Sequence, residues 1–546
     1  MRPWKGLVTI KIFFFMKRNK RLLFGFFTAA IVVVITIISC SKELNKTSPN
    51  APPVAGYFST SDQLLSGTNA IYSVVHSVNL VGREWFFIHD LRSDDVAAGG
   101  GQLEVPRAQI LNGATDPTNA VMNAVWNNLY STIHRANTVI ANGPNVTDNT
   151  ALRDRCVGEA KFLRAWAYFE LVSMWGAVPL YTKPVSTPSD FQPRVAADAV
   201  YTQIIQDLTD AATILPGKSG YGSADLGRAT NAAANAMLGR VYMQKGDYAS
   251  AKTALLKIPT SGADGYSLTP HYNDNFLEET EFNNESIFEI AFYDKKDANF
   301  NWGGTTTTGD GPTADQTTVR NQEYCPVAWR NLIPSDRVLN EYESTTTGAA
   351  KTDPRFAYTI YKSGDMFDYD TVPLTDALQN GNGSTLHSAA VKASWRKYTL
   401  IYKQSVSQAN FYPGGDNMRM IRFGEVLLML AECANETGDI PGAIGYLNQI
   451  RDRADVAMPH YPTAQFPTGS KDQVTKAIMH EKSVEMNCEE VRNIDILRWR
   501  AKGYFTTEPL SYFHAGKDEL LPIPQAEIDN NPKLGTGGIN KQNPGY

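Results

Sequence analysis

Cysteine is scarce: five in 546 residues, at positions 40, 156, 325, 433 and 488. No two stand at the short spacing of a CxxC pair, which excludes a local zinc-thiolate or dithiol redox motif. An excess of positive charge is absent too. With 51 Lys and Arg against 56 Asp and Glu the formal net charge is −5, so the chain has no basic footprint for nucleic acid. Catalytic signatures are also missing. Gly217-Lys218-Ser219 ends like a phosphate loop, but Ala212 stands where its first glycine is required. His480-Glu481 lacks a second histidine four residues after the first, and no Gly-x-Ser-x-Gly elbow occurs. Asp94 and Asp95 are neighbours in sequence, which does not set two carboxylates across a glycosidic bond. Asn273-Asp274-Asn275 offers oxygen ligands at a spacing too short for an EF-hand. Calcium there is the only metal expectation, and no other cofactor is expected.

What the chain does have is apolar and aromatic mass: 42% hydrophobic residues and 11% aromatics, enough for a large core and for ring faces at a ligand site. Its clearest pattern is a helical pair over Ala229–Ile258, turning at Gly246-Asp247. Leu238, Gly239 and Tyr242 share one stripe, and Ala251, Leu255 and Ile258 share another, the spacing of two buried helix faces. Small residues where the stripes meet allow close backbone approach, as in a tetratricopeptide hairpin. The pattern returns 192 positions later, with Gly438-Asp439 at the turn and Ala443, Leu447 and Ile450 on the second stripe. A single hairpin cannot cover its own apolar face, so further helices must stack on these two.

The N-terminus reads as an export segment. Lys17, Arg18, Lys20 and Arg21 precede an apolar run from Leu22 to Ile38, with Met16 as an alternative initiator. The run is at the lower edge of a spanning helix, and an uncleaved signal anchor is the rival reading. Ile37-Ile38-Ser39-Cys40 resembles the bacterial lipobox. That resemblance implies a signal peptide over 1–39 and acyl chains on Cys40, with residues 40–56 as a flexible tether. Three chains would hold firmly where one binds only marginally.

From Tyr57 onward, helical patterns cover Tyr57–Val78, a stretch capped by Asp116 with Pro117 in its first turn, Ala151–Trp175 and Val195–Leu215. Between residues 259 and 419 short strand-like pieces alternate with long Gly/Thr/Asp-rich loops, the kind that usually carry function. Helices resume over Met420–Thr437, Ile440–Arg453, Gln473–Met486 and Val491–Trp499, before a tail over 501–546. Cys156, Cys433 and Cys488 lie within helical patterns as small buried hydrophobes. The expected fold is mainly α: a tetratricopeptide-like helical-repeat scaffold (57–258 and 420–500) with a loop-rich irregular lobe inserted between the repeats.

Motifs along almost the whole chain resemble the SusD/RagB family of surface nutrient-binding lipoproteins. They include Leu91-Arg92-Ser93-Asp94-Asp95, Trp126-Asn127-Asn128-Leu129-Tyr130, Arg135-Ala136-Asn137 and Glu159-Ala160-Lys161-Phe162-Leu163-Arg164-Ala165. Further on stand Trp175-Gly176-Ala177-Val178-Pro179-Leu180, Arg422-Phe423-Gly424-Glu425, Leu521-Pro522-Ile523-Pro524 and Gln542-Asn543-Pro544-Gly545-Tyr546. The resemblance implies a non-catalytic protein on the outer leaflet of the outer membrane. It would cap a SusC-like TonB-dependent transporter and hand it oligosaccharides or, in some members, peptides. A lipid-anchored glycoside hydrolase and a purely structural adaptor are the readings from other classes.

A glycan site needs flat apolar faces for the sugar ring and planar polar groups for its hydroxyls. Trp302, in Asn299-Phe300-Asn301-Trp302-Gly303-Gly304, is the first candidate platform, followed by Tyr324 and Trp329. Arg92, Asp94 and Asp95 are candidate hydroxyl partners, with an internal salt bridge as the competing role. Trp126, Trp166, Trp175 and Trp499 lie on helical stripes and read as core.

Overall fold

The computed structural model describes residues 54–99, 103–293, 317–344, 351–367, 369, 371–376, 393–405 and 413–546. Contacts divide the chain into Met1–Ser59 and Thr60–Tyr546. Within the first unit, Val54–Tyr57 forms a single helical turn. Cys40 lies outside the described residues, so its acylation stands as an expectation.

The second unit begins with α1 (Ser61–Val75), where Thr60 and Gln63 form a reciprocal capping box. Next come α2 (Glu84–Leu91), β1 (Val96–Ala98), α3 (Val105–Leu111), α4 (Ala120–Asn142) and α5 (Thr150–Trp175). Two-residue strands β2 (Val178–Pro179) and β3 (Arg194–Val195) lead to α6 (Ala197–Ile214), α7 (Asn231–Gln244) and α8 (Tyr248–Leu255). The start of α4 differs from the sequence reading. Asp116 turns back on itself to accept from the Thr118 amide at 2.7 Å, and the cap is Asn119, which accepts from Val121 and Met122. The helix therefore opens three residues after Pro117.

Neighbouring helices pack in chain order, α4 on α5, α5 on α6, α6 on α7 and α7 on α8. The two sequence repeats share one turn geometry. Gly246 has φ +78° and Gly438 φ +88°, the left-handed region glycine tolerates best. The Asp247 amide donates to Tyr242 O at 2.9 Å and the Asp439 amide to Ala434 O at 2.8 Å. Asp247 then caps α8 through the Ser250 amide, as Asp439 caps its own helix through the Gly442 amide. Lys252 of α8 reaches the second turn by an ion pair to Asp439 at 3.0 Å.

Close approach within the first hairpin rests on Gly239. A Cβ there would stand 2.4 Å from Leu255 Cδ2. Gly239→Val is therefore expected to cost about 1–3 kcal/mol by overpacking. Leu255→Ala, added in the same chain, should recover part of that loss in a urea unfolding curve. If the double variant is no more stable than Gly239→Val alone, the close approach is not what limits this position.

The region between the repeats holds β4 (Ser286–Ile290), α9 (Arg320–Tyr324), β5 (Leu332–Pro334), α10 (Asp336–Glu341), α11 (Arg355–Thr359), β6 (Ile360–Lys362) and β7 (Ala393–Trp395). The second helical part follows: β8 (Met418–Arg422), α12 (Phe423–Glu436), α13 (Ile440–Arg451), α14 (Lys471–Met486), α15 (Arg492–Ala501) and α16 (Gln525–Asn530). Helix α8 packs on α12, so the two hairpins stack. Met420, Ile421 and Arg422, read as the start of a helix, belong instead to β8, because this segment pairs antiparallel with β4. Cys488 likewise sits after α14, at φ +59°, rather than in a helix. Cys156, Cys325, Cys433 and Cys488 are all buried and free. Strand β1 pairs with β5, and β6 with β7. The tail is built into the body: Trp175 Nε1 donates to Pro522 O at 3.0 Å, and Asn543 Nδ2 to Trp175 O at 3.0 Å. Among the described residues no helix is long and apolar enough to cross a membrane.

Behind the lobe lies a buried ionic network. Arg422 donates to Glu285, Glu485 and Glu489, each at 2.7 Å, while Arg453 reaches Glu285 and Glu485. Arg355 pairs with Asp353, Glu481 and Glu485, and Lys397 with Glu489 at 2.9 Å. All of these side chains are almost inaccessible. Burial alone would raise the Glu285 carboxyl, but Arg453 and then Arg422 hold it down to about 2. Glu485 and Glu489 are depressed in the same way, against their burial, chiefly by Arg422. A carboxyl depressed in the folded state stabilises above its ordinary value near 4.5, and that stability is lost as pH falls toward the folded value. Asp416 and Glu281, raised by burial to about 7, pull the other way but are already neutral in the folded state below pH 4.5. Urea midpoints are thus expected to fall steeply between about pH 4.5 and pH 2, and Glu285→Gln should flatten that limb. An unchanged slope in the variant would remove Glu285 from the account.

Candidate functional site

Trp329 owes its position to a chain of backbone contacts. Its amide donates to Gln322 O at 2.9 Å, and Arg330, at φ +48°, turns the chain into β5. There Ala98 faces Leu332 and Val96 faces Pro334 across β1–β5. The buried Arg330 guanidinium donates to Ser394 Oγ and Ala393 O at 2.7 Å, which ties this corner to β7. Burial lowers its pKa to about 10. Gly99 crosses directly over the Arg330 carbonyl, where a Cβ would stand 1.7 Å from the oxygen.

Trp329 itself stays half-buried. The Arg83 guanidinium lies over its ring at 5.8 Å, a cation–π contact. Arg83 also bonds Glu323 at 2.6 Å and the exposed Glu104 at 3.3 Å. Arg107 pairs with Glu84 and Glu104 and covers Phe87 at 4.5 Å. Burial raises the Glu84 carboxyl even beside Arg107 and Arg83. An indole face thus borders a fixed rim of carboxylate and guanidinium groups, the combination that reads ring faces and hydroxyls together.

A second aromatic patch lies just after β4, at Phe292 and Tyr293. Phe292 meets His76 edge to face at 5.5 Å, and Tyr293 is 68% exposed. With Tyr72 and Arg228 they line a cleft of about 410 Å³. Burial lowers the His76 pKa, and its Nδ1 lies 2.6 Å from Tyr72 O. From here the chain enters residues 294–316, which carry Trp302 and lie outside the described residues. It re-emerges at Thr318, bonded to Gly82 O and paired with Gly414. Gly82 immediately precedes Arg83, so Thr318 touches the chain one residue before the Trp329 rim. Tyr293, Phe292 and His76 were not singled out by sequence reading. The aromatic pair Phe292-Tyr293 ahead of a long Gly/Thr-rich stretch was the available signal.

The other candidates are tied up internally. Tyr324 is fully buried, its hydroxyl donating to Asp90 and its ring under Arg320 at 5.4 Å. Arg92 donates to the carbonyls of Asp518 and Glu519 at 3.3 and 3.2 Å, pinning the tail. Asp94 accepts from Arg492 Nε at 2.7 Å and pairs with Arg337. Against its burial, Arg492 and then Arg337 hold its carboxyl low. Asp95 pairs with Arg337, and burial raises its carboxyl. The Asn273-Asp274-Asn275 turn uses the Asn275 amide internally, on Thr269 and Tyr272. Among the described residues no group of three or more His, Cys, Asp or Glu is placed to hold a metal.

Comparison with known proteins points one way. The model of the SusD family matches residues 284–546, and a second, described as starch-binding associating with outer membrane, matches 101–243. A SusD-like protein, P2 of Formosa agariphila, is 26% identical, covering 94% of this chain and 98% of that protein. The solved structure of a laminarin-binding SusD-like protein superposes at TM-score 0.68 with 26% identity, covering 89% of this chain and all of that one. Surface glycan-binding protein A from Bacteroides thetaiotaomicron, in complex with laminarihexaose, shares the fold at TM-score 0.68 and 23% identity, over 89% of this chain and 99% of that one.

Proposed function

The chain belongs to the SusD family, and from that premise we propose that it is a non-catalytic, outer-membrane-associated protein that binds glycans through the face around Trp329. The observation carrying this reading is Trp329 itself: a half-buried indole, fixed by β1–β5 and rimmed by Arg83 and Glu104. Laminarin-binding relatives of the same fold support the ligand class. Captured oligosaccharide passes to a SusC-like TonB-dependent transporter, and acyl chains on Cys40 keep the protein at the outer leaflet.

A glycan array probed with the lipid-free protein tests this directly. Each stacked ring contributes about 0.5–1.5 kcal/mol, so Trp302→Ala and Trp329→Ala should each weaken binding roughly 2- to 12-fold. No glycan signal, or capture of peptides instead, overturns the ligand class; turnover of a labelled oligosaccharide would make the protein an enzyme. In cells, Cys40→Ser should move the protein out of the membrane fraction. Its transporter should co-purify with the wild-type chain, and absence of any such partner removes the delivery step.

A further inference from the structure

A second cleft, of about 420 Å³, shares no lining residue with the Trp329 face or the Tyr293 cleft. Buried Trp126 forms part of its lining, beside Tyr130 of α4, with Tyr181 and Phe191 from the β2–β3 connection opposite. The two tyrosine rings meet edge to face at 5.9 Å. Tyr130 donates its hydroxyl to Pro179 O at 2.9 Å, while Tyr181 accepts from the Gln192 amide at 3.2 Å and keeps its own O–H proton to donate. Ring face and one phenolic donor remain on offer.

The walls are held by long-range bonds. Asn137 Nδ2 donates to Tyr181 O and Lys183 O, Tyr168 donates to Tyr181 O, and Asn531 Nδ2 reaches Gln192 O at 3.0 Å. The cleft is therefore preformed rather than shaped by its ligand. At its rim stand the exposed amides of Asn127 and Asn530, with Arg135 and Glu527 balancing in charge. Burial, then Arg135, lowers the His134 pKa, so this imidazole is neutral at neutral pH. Ring faces beside planar neutral amides, with no net charge, suit a neutral polyhydroxylated ring. A purely apolar ligand would leave the amides unused. No lining residue belongs to a strand, so the cleft offers no open edge to which a peptide could add as a further strand.

We propose that the cleft between α4 and the β2–β3 connection is a second saccharide site, taking the end of a short neutral oligosaccharide. Its volume lies at the small end of ligand pockets, which limits the occupant to one or two sugar rings. The choice of a glycan rests on the reading above; the place does not. Two sites on one chain would hold a polysaccharide at separate points along its length.

Saturation-transfer NMR with laminaribiose, maltose and cellobiose at millimolar concentration tests the proposal. The Trp302→Ala/Trp329→Ala double variant removes the first site and should still bind at least one of the three. Adding Tyr181→Ala to that chain should reduce the signal roughly fivefold, the worth of one stacked ring. Asn127→Trp, which fills the cleft from an exposed helical position and removes no hydrogen bond, should do the same and guards against misfolding of the first variant. If wild type binds and the lobe double variant does not, the second site is refuted while the proposed function stands. If no disaccharide binds wild type but the glycan array is positive, the outcome is the same. A blank array refutes the glycan reading itself. Saccharide binding untouched by Tyr181→Ala and Asn127→Trp, with loss of transporter co-purification, would make the cleft a protein-docking surface and overturn the proposal.

Discussion

Glu485→Ala is expected to lower the unfolding free energy by about 3–5 kcal/mol, the cost of breaking a buried charge pair from one side. Glu485 accepts from Arg422 and Arg453 on one carboxylate oxygen and from Arg355 on the other, at 2.7, 2.9 and 3.0 Å. Its loss leaves three inaccessible guanidinium groups short of a partner. Arg355 and Glu285 come from the lobe, while Arg422, Arg453 and Glu485 come from the second helical part, so the damage falls where the two meet. A surface pair gives the contrast. Asp198, whose side chain is 89% exposed, pairs with Lys245 at 2.7 Å, and Asp198→Ala should leave the urea midpoint almost unchanged, because solvent screens the pair. Urea is the denaturant for both, since guanidinium would screen the charges being compared. Equal effects of the two substitutions would mean that burial adds nothing to the Glu485 contacts.

That network also marks where sequence reading stops. The hairpins were legible because their information is local: Gly and Asp at the turn, small and large residues a few positions apart, repeated at a fixed offset. Met418-Arg419-Met420-Ile421-Arg422 was read partly as helix because it runs without a break into the apolar face of α12. Nothing nearby announces that Arg422 is buried, since the carboxylates that neutralise it lie 63 to 137 residues away. The same holds for Asp94 and Asp95. Acidic neighbours beside a glycine-rich loop read as hydroxyl partners, whereas Arg492 and Arg337, their actual partners here, are 398 and 242 residues distant. Tyr324 and Trp329 were indistinguishable by composition. The bond from Tyr324 to Asp90, across 234 residues, turns the first inward, and the Gly99 crossing leaves the second at the surface.

Gly99→Ala should therefore weaken glycan binding as much as Trp329→Ala does, though Gly99 presents no side chain to a ligand. An alanine Cβ would stand 1.7 Å from Arg330 O and 2.9 Å from its carbonyl carbon, distances that backbone cannot absorb. Arg330 cannot yield easily, because its guanidinium is held by Ser394 and Ala393 and its amide neighbours by Gln322 and Glu323. The relief left is for β1 to part from β5, breaking the bond from the Gly99 amide to Asn331 O at 2.9 Å and carrying Trp329 out of place. The stability cost is of the overpacking kind, about 1–3 kcal/mol or more. Gly246→Ala separates the two effects. It places a side chain at φ +78° in open space, costing about 1 kcal/mol without approaching the lobe. Affinity lost in Gly99→Ala but kept in Gly246→Ala, on the same glycan array, ties recognition to the position of Trp329. Equal affinity in both would show that ligand is bound elsewhere than on the indole that β1 and β5 hold in place.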